Sequence, residues 1–240
     1  MYSFLVQLAA MTGARYSTNG RPETSDEWIG ALLKLSRQQE AAWDLVVSDV
    51  SVPAFMQLPI PEGSLEKASY KQDIATPDEL DLLVTSKNHD LKMKRISNPE
   101  PQHWIYALIS LQSMEGFLGR GNYGIIRMNS GTGSRPFVGI SPGLTWGKRF
   151  QRDVDLLVRE RDLFAEEYAL EGHALLWTIP WSGEISDSLP LMDCDPYFIE
   201  VCRRIRLQAN TDGTLTCWKS NTKAQRVAAS QDLKGVTGDP

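Results

Sequence analysis

Nine of the 18 glycines in this 240-residue chain fall between Gly116 and Gly147. Glycine inside a helix or strand is unfavourable by roughly 0.5–1 kcal/mol relative to alanine. Such a stretch is poorly suited to an ordinary core element and well suited to turns and close backbone approaches. Charge is distributed as unevenly as glycine. From Ser86 to Arg152 there are ten Lys or Arg residues (Lys87, Lys92, Lys94, Arg95, Arg120, Arg127, Arg135, Lys148, Arg149 and Arg152) against Asp90, Glu100 and Glu115. That segment is +7 in a chain of net charge −5, which leaves −12 on the remainder. A basic, glycine-rich segment inside an acidic protein points to a polyanion contact made by one region.

Hydrophobic residues make up 42% of the chain and charged residues 23%, a globular composition. No apolar run approaches the roughly 20 residues of a membrane span. The stretch from Phe4 to Met11 is interrupted by Gln7 and has no basic leader, so it reads as a buried helix rather than a signal peptide. Cys194, Cys202 and Cys217 form neither a CxxC pair nor an even set. This argues against a disulfide framework and against a zinc site, and fits a reducing cytosol. A cytoplasmic protein with no metal, no cofactor and no membrane partner is expected.

Periodicity and turn chemistry give an α+β reading: an irregular mixed domain with several helices, short antiparallel strands and long functional loops. Helices are expected at residues 2–11, from an N-cap at Ser25, from the Thr76-Pro77 start, over Trp104 to Met114 and over Lys148 to Glu171. Gly13 to Pro22 reads as a turn-rich connection. Leu45 to Val50 and Ala174 to Trp181 are strand candidates, and Pro196 to Leu207 is an apolar-faced element. Thr214 to Trp218, following Asn210-Thr-Asp-Gly213, reads as the second arm of a hairpin.

Gly119-Arg-Gly121-Asn-Tyr-Gly124 matches GxGxxG, but the context of a dinucleotide site is missing. No acid follows Glu115 until Asp153, and the residues after Gly124 are a poor helix. A kinase loop would need HRD and DFG partners, and neither occurs. Glycines interleaved with Arg120, Arg127 and Arg135 suit a nucleic-acid backbone instead: glycine exposes N–H groups, and arginine supplies charge and bidentate donors. In the basic loop Thr85 to Arg95, His89 and Asp90 are the raw material of an acid/base pair. Adjacent residues rarely face each other productively, so a solvated loop with His89 as a hydrogen-bond partner is the preferred reading. A stand-alone metal-dependent nuclease or hydrolase using His89 and Asp90 is the rival. His103 and His173 read as structural, and Trp218, beside Lys219, as either core or a base-stacking ring.

Five collinear segments carry a family resemblance. They are Phe4-Leu-Val-Gln-Leu-Ala-Ala, Pro53-Ala-Phe-Met-Gln57, Ala75 through Asp90 (ATPDELDLLVTSKNHD), Leu111 through Gly124 (LQSMEGFLGRGNYG) and Leu233 through Pro240 (LKGVTGDP). Together they resemble the large subunit (CasA family) of the type I-E CRISPR surveillance complex, Cascade, over nearly the whole chain. The resemblance implies a single domain over residues 1–240 of the large subunit's N-terminal type. The family's further N-terminal stretch, its C-terminal helical bundle and its strand-separating hairpin find no match in the chain. The paired CxxC motifs of some members are also absent.

The resemblance further implies a binding protein, not an enzyme. Its partners would be CRISPR guide RNA, double-stranded target DNA, other Cascade subunits and the helicase–nuclease that degrades the target. Its work would be to check duplex for a protospacer-adjacent motif (PAM), largely from the minor groove, and to help open it. The family's glycine loop would fall on Gly116, Phe117, Leu118, Gly119, Arg120, Gly121 and Asn122. Its first recognition loop would fall on Ser86, Lys87, Asn88, His89, Lys92, Lys94 and Arg95. Its groove lysine would be Lys219, with Lys223 next, and Arg127 and Arg135 would add basic contacts. Gly119 and Gly121 are expected to lie against the DNA, so that a side chain there collides with base edges or sugars. The alternative is that a turn at positive φ alone demands them.

Overall fold

The computed structural model describes residues 1–17, 20–80, 96–114, 120–123, 143 and 145–228. Among the described residues there are four α-helices: α1 (Tyr2–Tyr16), α2 (Ser25–Leu35), α3 (Pro101–Met114) and α4 (Trp146–Glu160). Seven short strands accompany them: β1 (Lys71–Ile74), β2 (His173–Leu175), β3 (Leu189–Pro190), β4 (Cys194–Ile199), β5 (Arg204–Ala209), β6 (Leu215–Ser220) and β7 (Val227–Ala228). The chain is thus the mixed α+β fold expected. Its principal sheet is antiparallel, in the order β1-β6-β5. The pairs β2–β4 and β3–β7 are parallel and accompany the antiparallel strands expected.

α1 is a wall shared by two cores. Phe4, Leu8 and Met11 belong to the main core, while Val6 and Ala9 pack on Val154 of α4. Each such apolar side chain contributes about 1.5–3 kcal/mol when fully buried, so the helix is held from both sides. It runs past the expected turn at Gly13 and ends at Tyr16. Gly13 is needed there because the Gly20 carbonyl oxygen passes 2.0 Å from where a Cβ would sit.

α2 begins one residue earlier than expected in its capping. Thr24 Oγ1 accepts the Glu27 N–H at 3.3 Å, and the Glu27 carboxylate accepts the N–H groups of Glu23 and Thr24. This is the reciprocal arrangement of a capping box. At the Thr76 start the described residues hold a 3-10 turn, Pro77–Glu79, with Glu79 accepting from the N–H groups of Ala75 and Thr76, and residues 81–95 lie outside the described residues. α4 also stops short of Glu171. At Arg161 the chain tightens into a 3-10 turn, and the Arg161 side chain reaches inward to Asp195, with Nη1 3.1 Å from Oδ1. Asp195 is fully buried and also receives Arg15 Nε at 2.9 Å, so two cations surround one carboxylate.

Leu45 to Val50 forms no strand, because its carbonyls are taken by side chains from elsewhere. The Arg206 guanidinium, fully buried in β5, donates to the carbonyls of Val47, Asp49, Val52 and Leu58. Burial lowers its pKa to about 10. Gln57 Nε2 takes the Leu45 carbonyl at 2.8 Å, and Gln57 Oε1 accepts the Leu207 N–H at 2.6 Å. Gln112 does the same from α3: its amide donates to the carbonyls of Met56 and Arg203 and accepts from the N–H groups of Cys202 and Arg203. The strand expected over Ala174 to Trp181 is limited to β2, and a 3-10 turn then places the Trp177 indole N–H on the Ala42 carbonyl at 3.0 Å.

The expected hairpin is present. β5 and β6 pair from Arg204↔Ser220 to Ala209↔Leu215, joined through Asn210–Gly213, where Gly213 has φ +81°. The element over Pro196 to Leu207 divides into the end of β4 and the start of β5.

Candidate nucleic-acid interface

The end of β6 and the glycine segment meet. The Thr222 N–H donates to the Gly121 carbonyl at 2.8 Å, and the Tyr123 N–H donates to Thr222 Oγ1 at 2.7 Å. One threonine therefore holds both sides of the Gly121 turn. This brings Arg120, Gly121 and Asn122 to the end of the strand that carries Lys219, next to the loop that carries Lys223. Arg120 and Lys223 are exposed, Gly121 and Asn122 half-buried, and Thr222 buried.

The support beneath this turn is rigid for identifiable reasons. The Gly183 carbonyl accepts the N–H groups of Lys223 and Ala224 at 2.7 and 3.2 Å. Gly183 sits at φ +85°, and a Cβ there would come 3.0 Å from Arg204 Cδ and 3.1 Å from the Asn221 carbonyl oxygen. Arg204 Nη1 donates to Ser220 Oγ at 2.9 Å and to the Asn221 carbonyl at 3.2 Å, with its guanidinium 5.0 Å over the Tyr70 ring. Arg204 is buried, so it is a brace rather than a ligand group.

The lysines differ in setting. Lys219 is directly opposite Lys71 in the β1–β6 register. Lys223 pairs with Glu184 at 2.7 Å, and its side chain is 76% exposed. Such surface pairs are worth about 0–1 kcal/mol, so a phosphate can displace Glu184. Lys71, Asn221 and Thr222 were not singled out by sequence, because none belongs to a motif.

Gly121 occupies a turn at positive φ. Its φ is +89°, and a Cβ would come 3.2 Å from Asn221 Cγ. The turn itself therefore demands glycine, whatever lies outside it. Trp218 is also settled: it packs on the satellite core of Ile60, Leu65, Ala68 and Tyr70. Gly116, Phe117, Leu118 and Gly119 lie outside the described residues. So do Ser86, Lys87, Asn88, His89, Asp90, Lys92, Lys94 and Arg95, along with Arg127 and Arg135.

The other two histidines make structural bonds. His103 Nδ1 accepts the Glu100 N–H at 3.0 Å. His173 Nδ1 accepts from Arg37 Nη2 at 3.1 Å. Burial, with the Arg37 charge beside it, holds the His173 pKa below its ordinary 6.5. His173 lines a cleft of about 140 Å³ with Arg15, Lys34, Arg37 and Glu171, away from the residues singled out for nucleic acid. The three cysteines are buried thiols, and burial pushes Cys217 up to about 12. Among the described residues, no group of three or more His, Cys, Asp and Glu is placed to hold a metal ion. Among them, no helix is long and apolar enough to cross a membrane.

Compared with known proteins, the chain matches no family model, and neither a curated protein nor a solved structure shows significant similarity to it.

Proposed function

We propose that the chain is a nucleic-acid-binding subunit of a type I-E Cascade complex, in which it reads the PAM of double-stranded target DNA, helps start duplex opening and supports recruitment of the helicase–nuclease. The work is binding, carried out in the cytoplasm with guide RNA and other Cascade subunits. The observation that carries this reading is the double hydrogen bond from Thr222 to the Gly121 turn. It joins Gly121 to the end of β6, so that Arg120 and Asn122 stand near Lys219 and Lys223, residues to which the family resemblance gives a DNA-contact role.

The chemistry suits a rapid, permissive test of duplex. Exposed Arg120 and Lys223, with the Lys71–Lys219 pair, offer charge to phosphates. Asn122, half-buried beside them, has an amide that can donate to the acceptors of a minor-groove edge, where A·T and T·A look alike. Once strands separate, guide pairing supplies most of the sequence readout, and the protein adds backbone contacts.

Co-purification tests the reading. The chain is expected to elute with a guide RNA and several other subunits, and the assembly to bind target without cutting it. Elution alone, with divalent-ion-dependent cleavage of plasmid, would instead favour the hydrolase reading built on His89 and Asp90.

A further inference from the structure

At the start of α4 an aromatic stack stands in solvent. Trp146 is 59% exposed. Its indole lies parallel to the Phe150 ring, with 5.3 Å between centroids and 6° between planes. Tyr2 of α1 meets both rings edge-on, at 5.7 Å and 6.4 Å. The Tyr2 hydroxyl is anchored on Asp153 at 2.7 Å. The stack is therefore fixed from the protein side, while the indole, stacked on Phe150, remains largely exposed.

Charge selects the occupant. Residues 146–152 hold Lys148, Arg149 and Arg152 and no acid. Asp153, the first acid after them, is shared among the Tyr2 hydroxyl, Arg149 at 3.8 Å and Arg152 at 2.9 Å. The Arg149 guanidinium also sits 4.7 Å over the Tyr2 ring. An exposed ring in one cluster with Arg149 and Arg152 matches alternating bases and phosphates, since every base offers a π-face and every linkage a negative charge.

We infer that Trp146 and Phe150 form a stacking platform for an unpaired base of single-stranded nucleic acid, with Lys148, Arg149 and Arg152 meeting its phosphates. This site is distinct from the Gly121–Thr222 edge: it takes an unpaired strand, and it stands on its own geometry whether or not that edge reads duplex.

The test is titration of the chain with an oligothymidylate carrying one 2-aminopurine, whose fluorescence falls on stacking. Wild type is expected to quench the probe. Trp146→Ala is expected to lose roughly 5- to 150-fold in affinity, the range for one stacked base. Trp146→Phe should keep most of the binding, which separates a stacking role from a folding one. An abasic oligomer of equal length should bind wild type and Trp146→Ala alike. Duplex affinity should be the same for wild type and Trp146→Ala, so failure here is distinguishable from failure of the duplex site. Unquenched 2-aminopurine, or equal affinity of wild type and Trp146→Ala for the base-bearing strand, would overturn the inference.

Discussion

Thr222 and Gly121 are bound to each other across 101 residues of sequence: the threonine N–H donates to the glycine carbonyl, while its hydroxyl lies between the backbone groups on the other side of the turn. Removing only the hydroxyl, by Thr222→Val, leaves the Tyr123 N–H without that acceptor at a buried position. A loss of about 1–3 kcal/mol in stability is expected in denaturant melts, together with weaker duplex binding. Thr222→Ser should recover most of both.

Gly121→Ala separates the two causes of a glycine. At φ +89° with Asn221 Cγ 3.2 Å away, alanine is strained by its backbone and crowded by its neighbour. It is expected to lower stability by about 1 kcal/mol or more. Pairing it with Asn221→Ala, which clears the space, should recover only the steric part. Full recovery would show that φ is not the constraint.

Arg206 should be among the most sensitive residues of the fold. Its guanidinium satisfies four carbonyls of the irregular segment between Val47 and Leu58. Arg206→Met keeps the bulk but orphans those carbonyls, so a loss of at least about 3 kcal/mol is expected. Thermal melting reads it, and a melting point within a few degrees of wild type would contradict the role.

His173 predicts the sign of one pH effect. It is neutral in both folded and unfolded states well above pH 6.5, so its contribution is fully present there. As pH falls through 6.5, the unfolded chain takes the proton first. The folded state resists it because of burial and the charges of Arg37, Arg226 and Arg15, opposed by Asp193. Stability therefore falls toward the lowered folded-state value. His173→Gln should flatten the decline in melting temperature between pH 7 and pH 5, and an identical slope would contradict this.

The elements legible in sequence are those whose partners are local. The apolar period of α1, the capping acids of α2 and the Asn210–Gly213 turn of the hairpin each declare themselves within a few residues. Leu45 to Val50 reads as a strand because nothing nearby shows that Arg206 will take its carbonyls. Gln57 and Gln112, both inside segments that carry the family resemblance, turn out to be buried ties between loops and β5. For the candidate site, glycine and charge content marked the segment that holds Arg120 and Gly121, and the family resemblance marked Asn122, Lys219 and Lys223. Thr222, which joins them, has no pattern of its own, and its role depends on a hydrogen bond that only folding creates.

The most direct test is a pair of titrations of the assembled complex, with a fully paired PAM-bearing duplex and with the same target pre-opened as a bubble. The variant is Lys219→Ala with Lys223→Ala. Weaker binding to the paired duplex is expected, with a slope of log K against log salt shallower by about 2, because each lysine neutralises one phosphate. Binding to the bubble should be nearly unchanged, because guide pairing holds it. Equal losses on the two substrates, or an unchanged salt slope, would contradict a duplex-reading edge at Gly121, Lys219 and Lys223.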